Sequence, residues 1–216
     1  MVSSVSFSGS RYLDNDLEPI VQLNFPVRGN YLPADHSYGL FAASVNLVPQ
    51  IRSSKQISIL SIPGIPDIPG RILLTRQSCL RIRVSVSQIP LVYKLAAKKI
   101  TIGVHEIHIG IPKIDVPKPV PNLRSRIVTV KGYTEPKGFL EAVQRQLHHL
   151  GISGTASIPN NQEGHPARKT IKIQRFTIVG FTTEITNLSD ADSLLLQARG
   201  LGGKRHMGCG IFLPKR

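Results

Sequence analysis

Apolar and polar positions alternate along much of this chain, and the places where alternation gives way to helical spacing divide it into elements. Residues 18–27 (EPIVQLNFPV) form a short apolar run that predicts a first strand. Residues 33–48 open with Pro33 and Asp35 and then place Leu40, Phe41, Ser44, Leu47 and Val48 at the spacing of one helix face. Residues 57–62 predict a strand, followed by a proline-rich connection over 63–70. Residues 71–86 alternate repeatedly, and the run Leu80-Arg-Ile-Arg-Val-Ser-Val86 suits a strand with one basic face. A short helix over 89–97 and an alternating strand over 99–111 complete the first series.

Residues 112–121 (PKIDVPKPVP) are dense in proline, a composition that favours an extended connector. The order of elements then recurs. Residues 126–132 predict a strand, and 136–150 (PKGFLEAVQRQLHHL) an amphipathic helix ended by Gly151. Residues 152–158 predict another strand, and 169–186 one long strand or two short ones. Residues 189–198 predict a helix with a serine cap and an acidic first turn, and 210–214 a last short strand. Two βαββαβ series predict an α+β protein of two tandem ferredoxin-like (RRM-like) domains. Their expected bounds are 1–111, a linker over 112–123, and 124–216. The duplication is topological; no strong residue-level repeat accompanies it.

Charge narrows the function classes. The chain carries 27 Lys+Arg against 13 Asp+Glu, a formal net charge of +14. Thirteen basic and seven acidic residues precede Leu123, and fourteen and six follow, so the excess belongs to both halves. Such a field suits a polyanionic partner, nucleic acid above all. Cys79 and Cys209 stand far apart, without the spacing of a zinc site or a disulfide framework, which fits a reducing compartment and a cytoplasmic protein. The opening residues MVSSVSFSGSRYL lack the pattern of a signal peptide. No stretch approaches the ~20 apolar residues of a membrane span.

The densest motif is GLGGKRHMGCG, residues 200–210: Gly200, Gly202, Gly203, Gly208 and Gly210 around Lys204, Arg205 and His206. Glycines let backbone N–H groups approach a phosphate closely. A dinucleotide or Walker loop must follow a strand and open a helix; this one follows a helix and precedes a strand, and Arg205 stands where a Walker loop needs Ser or Thr. No cofactor is expected. In topology and in this loop the chain resembles the repeat-associated RNA-binding (RAMP) superfamily of CRISPR systems. A second segment, Leu32-Pro-Ala-Asp-His-Ser-Tyr-Gly-Leu-Phe-Ala-Ala43, is similar to the catalytic segment of the CRISPR RNA-processing endoribonucleases. The similarity is nearest to the branch found with type I systems.

The resemblance implies metal-independent cleavage of precursor RNA within each repeat. The RNA's 2′-OH attacks the neighbouring phosphate, leaving a 2′,3′-cyclic phosphate and a 5′-OH. It implies His36 as general base, a role suited to an imidazole whose ordinary pKa is about 6.5. The positive end of the first helix would keep that ring neutral, and Asp35 would oppose this. Some members carry a lysine on the first helix to stabilise developing charge. Residues 39–48 hold none, so Lys204, Arg205 or His206 are the expected substitutes. Tyr31 and Tyr38 are candidates to orient the 2′-OH or phosphate. Arg168, Lys169, Lys172 and Arg175 are expected to grip a repeat hairpin or its flanking strand, with binding dominated by the backbone since aromatic content is 6%. His105, His108, His148, His149 and His165 receive no role. The implied partners are repeat RNA, the mature guide RNA that stays bound, and other subunits of a Cascade-like effector complex, with no membrane. A RAMP subunit that grips guide RNA without cutting, and a housekeeping RNA-binding protein, are the rival readings.

Overall fold

The first sheet is built on β1 (Ile20–Arg28), whose side chains alternate between two environments. Val21, Leu23, Phe25 and Val27 are buried, while Gln22 and Asn24 face away. The computed structural model describes residues 18–215, so the reading of the first thirteen residues lies outside the described part. After β1 come β2 (Tyr31–Pro33), α1 (Ser37–Leu47), β3 (Ser58–Ile59), β4 (Ile65–Pro66), β5 (Arg71–Leu73) and β6 (Cys79–Ser85). A short α2 (Ile89–Tyr93), β7 (Lys99–Ile102), β8 (His105–Ile109) and β9 (Lys113–Asp115) complete this half. The strand order is β3-β6-β1-β8-β7, with β9 also on β1, and the pairings are antiparallel. Reading β8 and β9 as one interrupted edge, this is the fourth-first-third-second order of a ferredoxin-like sheet.

The second half repeats that order. It comprises β10 (Leu123–Val128), α3 (Pro136–His149), β11 (Thr155–Ser157), β12 (Arg168–Ile173), β13 (Phe176–Thr186), α4 (Asp190–Arg199) and β14 (Leu213–Pro214), in a sheet ordered β11-β13-β10-β14. The α+β class with tandem ferredoxin-like sheets is therefore the fold. The hairpin β12–β13 extends β13 beyond the sheet, with Ile173 paired to Phe176 at its tip.

Local chemistry explains where the elements depart from the pattern. Residues 71–86 are two strands in different sheets. Ser78 Oγ accepts the Thr75 N–H at 2.9 Å, and Thr75 Oγ1 accepts the Gln77 N–H at 3.2 Å, turning the chain where alternation alone continues. β5 pairs instead with β2 and β4 in a small three-stranded sheet. That pairing takes Pro33, the first residue of the expected helix, into β2, and α1 begins at Ser37. Residues 99–109 are a hairpin because Gly103, at φ 63°, supplies a turn between β7 and β8. Lys113–Asp115, inside the proline-rich stretch, pairs with β1.

Each sheet buries one face against helices and turns polar groups to the other half. Arg83 is the buried rivet between them: its guanidinium donates to the Gln197 and Phe212 carbonyls at 2.8 and 2.9 Å. Burial, with Arg81 beside it, lowers its pKa to about 10. Next to this rivet a cleft of about 1110 Å³ opens, lined by Gln22, Asn24 and Arg81 from the first half and Arg124, Arg126 and Lys169 from the second.

Candidate RNA-cleavage site

His36 sits at the cap of α1 but makes no capping bond with its side chain. Its Nδ1 lies 2.8 Å from the Pro33 carbonyl, and its Nε2 lies 2.9 Å from the Ile62 amide nitrogen. A carbonyl can only accept and an amide N–H only donate, so Nδ1 carries the proton and the Nε2 lone pair receives Ile62. The ring is 2% exposed. Burial lowers its pKa, as does Arg126, against the opposing pull of the Pro33 carbonyl and Asp35. Burial is thus the main cause that favours the neutral imidazole. In this state both ring nitrogens are engaged by backbone groups.

The glycine loop follows α4, which Ser189 caps by accepting the Asp192 N–H. Its backbone does not form an open phosphate cradle. Gly200, Gly203, Gly208 and Gly210 donate their N–H groups to the carbonyls of Leu196, Thr129, Arg205 and Ile127, and Gly202 donates to Gln146 Oε1. The glycines are needed for close approach. A Cβ on Gly202 would lie 2.3 Å from the Thr129 oxygen, and one on Gly210 would lie 1.9 Å from the Leu201 oxygen. Both residues have positive φ, 70° and 67°. Two of the three basic side chains also serve the fold. Arg205 donates to the carbonyls of Arg199 and Lys55. His206 Nε2 donates to the Ser54 carbonyl at 2.6 Å, and its ring stacks on Phe41 with centroids 5.3 Å apart. Lys204 alone of the three points out, at φ 63° and exposed.

The loop and His36 nevertheless meet. A Cβ on Gly208 would touch Ser61 Oγ at 3.0 Å, and Ser61 Oγ is 3.1 Å from Ser37 Oγ. Ser61 and Ile62 therefore form the wall between the imidazole and the loop. Arg126 belongs to the same neighbourhood. It lies in β10 where the pairing register with β13 shifts, a bulge of the kind that re-aims a side chain, and it lines the cleft. Among the described residues no hydrogen bond or ion pair occupies its side chain. Burial raises the Cys209 thiol to about 11, while Arg126 and Lys204 pull it down, which sets both cations around the loop.

The hairpin β12–β13 closes the site. Lys172 N–H donates to Asp35 Oδ2 at 2.6 Å, and Gln174 Nε2 donates to the Tyr38 hydroxyl at 3.2 Å. The four basic residues expected there do not share one face. Arg168 and Lys172 lie on one side of β12, Lys169 on the side lining the cleft, and Arg175 in the turn. Tyr31 lies on β2 with the Arg71 guanidinium 4.2 Å from its ring centre. Sequence reasoning passed over Arg124, Arg126 and the Ser61–Ile62 segment. The alternation Leu123-Arg-Ser-Arg-Ile127 mirrors the basic strand over 80–86 and would have signalled the first two. Among the described residues no three His, Cys, Asp or Glu side chains gather as a metal site, and no helix is long and apolar enough to cross a membrane.

A family model described as Cas6 Crispr matches residues 21–216. The CRISPR-associated endonuclease Cas6 of Myxococcus xanthus (strain DK1622) is 32% identical over 199 residues, 92% of this chain and 83% of that protein. A solved structure described as a Cas6-related gene product from Pyrococcus furiosus superposes with a TM-score of 0.64 at 15% identity, covering 91% of this chain and 98% of that one. Another, described as CRISPR associated protein Cas6, gives 0.62 at 11% identity, covering 93% and 100%. At those identities the two structures speak to the fold alone.

Proposed function

This chain belongs to the Cas6 family of CRISPR proteins, and from that premise we propose that it is a metal-independent endoribonuclease that cuts precursor CRISPR RNA within its repeats. What supports the reading is a buried imidazole whose Nε2 accepts from Ile62 and which Ser61 walls from the glycine loop. Arg126 lines the adjacent cleft without a hydrogen bond or ion pair among the described residues, and Lys204 is exposed on the loop. In the reaction the O2′–P bond forms as the P–O5′ bond breaks. One proton leaves the 2′-OH for the base and another, supplied by solvent water, reaches the departing 5′ oxygen. His36 is the base for the first, once RNA binding draws the Ile62 amide off Nε2. Arg126 and Lys204 face the charge that grows on the phosphorane oxygens. The Tyr38 hydroxyl, free to donate while Gln174 bonds to it, orients the phosphate, and Tyr31 flanks it from β2. The cleft residues and the exposed strand β12 hold the repeat, and the mature guide RNA stays bound for delivery to a Cascade-like complex in the cytoplasm. The functional units are the two sheet-bearing halves, expected as 1–111 and 124–216, with residues 113–115 of the expected connector added to the first sheet.

His36→Gln tests the assignment. Glutamine can carry an acceptor oxygen to the position of Nε2, so Ile62 keeps its partner while the basic group is gone. The variant is expected to fold, to bind repeat RNA and to leave it uncut, with wild-type cleavage undiminished by chelator. Full cleavage by the variant refutes His36 as base, and a strict divalent-metal requirement refutes the mechanism. A guide-RNA-binding subunit that does not cut is the second reading, favoured by the engagement of both His36 nitrogens. It predicts that the wild-type protein leaves repeat RNA intact.

A further inference from the structure

We infer that Phe176 and Arg175, at the tip of hairpin β12–β13, form a stacking platform for one nucleobase of the bound RNA beside the cleavage point. The inference deepens the RNA-cutting reading and rests on it. Among the described residues Phe25, Phe41, Phe139, Phe181 and Phe212 are at most 9% exposed, whereas Phe176 is 54% exposed. An apolar ring left in water at a hairpin tip contributes nothing to the core that would explain it.

Its surroundings decide between the partners such a ring could serve. A protein-docking face needs a contiguous apolar patch. On its face of the hairpin Ile173 and Ile178 are only partly exposed and pack against the Ile127, Ile171 and Cys209 cluster. Among the described residues there, Phe176 is the one large apolar side chain that stands exposed. It is bordered instead by cations. The Arg175 guanidinium carbon lies 5.1 Å from the ring centroid, within the range of a cation–π contact. Lys169, exposed and on the same face of the hairpin as Phe176, follows along the paired strand toward the cleft. An aromatic face for a base with basic side chains for the adjoining phosphates is the combination by which proteins hold single-stranded nucleic acid. Because every base has a π face, the platform fixes position more than sequence.

The tip is also held in place. Gln174 and Arg175 form a two-residue turn, Gln174 at φ 52°, and Gln174 is bonded to Tyr38. Lys172, opposite Thr177 in the ladder, is tied through its N–H to Asp35, the neighbour of His36. A base stacked on Phe176 would thus be registered against the α1 end of the site through two named contacts, and the ribose to be attacked would be set with it. Phe176 is on this account a positioning residue.

The experiment uses repeat RNA with 2-aminopurine substituted one nucleotide at a time around the cleavage point, and 2′-deoxy at the attacking ribose so that binding is read without cutting. Wild-type protein is expected to quench the fluorophore at one position by stacking. Phe176→Ala should abolish that quench and weaken binding roughly 5- to 150-fold, the span expected for one base stack. Phe176→Tyr should retain both, while Phe176→Leu, apolar but without a π face, should follow alanine. Unchanged thermal midpoints would show that these losses are not unfolding. The platform is overturned if wild-type protein binds but quenches at no position, or if Phe176→Ala binds within twofold of wild type with the quench intact. Absence of any repeat binding by the wild type would instead overturn the RNA-cutting reading on which the platform stands.

Discussion

Replacing Gly210 with alanine should damage this protein far more than the same change at another left-handed glycine. At φ 67° an alanine bears the left-handed cost of about 1–2 kcal/mol. The added Cβ would also lie 1.9 Å from the Leu201 oxygen, well inside any tolerable approach. Relief requires the two backbone segments to part. That strains or breaks the Leu201 N–H bond to the Gly210 carbonyl, at 3.1 Å, and the Gly210 N–H bond to the Ile127 carbonyl, at 2.8 Å. Each such bond is worth about 1 kcal/mol net, so the total is on the order of 3–4 kcal/mol. Gly151, at φ 71° with nothing within 4 Å of its virtual Cβ, carries only the conformational part. Chemical denaturation of wild type, Gly151→Ala and Gly210→Ala should therefore separate the two variants by at least about 2 kcal/mol. Equal losses in both would refute the account of the loop as a backbone knot.

Two further outcomes follow from the site. The folded pKa of His36 is depressed, so its contribution to stability is complete above the unfolded value of about 6.5 and is lost as pH falls from there through the folded value. Between pH 7 and 5 the wild type should lose more stability than His36→Gln, and parallel melting curves would count against the buried neutral ring. Arg126→Ala should slow cleavage at saturating RNA by about 10²- to 10³-fold. Arg124→Ala, whose guanidinium has Glu184 at 3.6 Å, should mainly weaken binding and reduce its salt dependence, and indistinguishable effects of the two would remove Arg126 from the chemistry.

The sheets were legible because β1, β10 and the start of β6 set buried side chains alternately with more exposed ones, and a half-buried strand writes that fact as alternation. The hairpin turn at Gly103 and the break at Thr75–Ser78 were not. Alternation runs across both, and only a positive φ or a side chain bonding its own backbone reveals the stop. At the site, the segment around His36 could be picked out by motif, but the bonds to Pro33 and Ile62 could not. Ile62 is 26 residues away, and hydrogen bonding at that range leaves no local pattern. The glycine loop was legible as a place of close approach, though not which group approaches. Five glycines are equally what a phosphate or a neighbouring peptide carbonyl demands, and here the carbonyls of Leu201 and Thr129 make the demand.

The fastening of Arg205 and His206 to the carbonyls of residues 54 and 55 carries its own consequence. A surface assembled across a seam exists only while the seam is shut. Either half alone would lack the groove that is meant to hold a strand, so recognition in this chain is a property of the joined molecule. A change that loosens the join would register first as lost affinity, well before any loss of helix or strand became measurable.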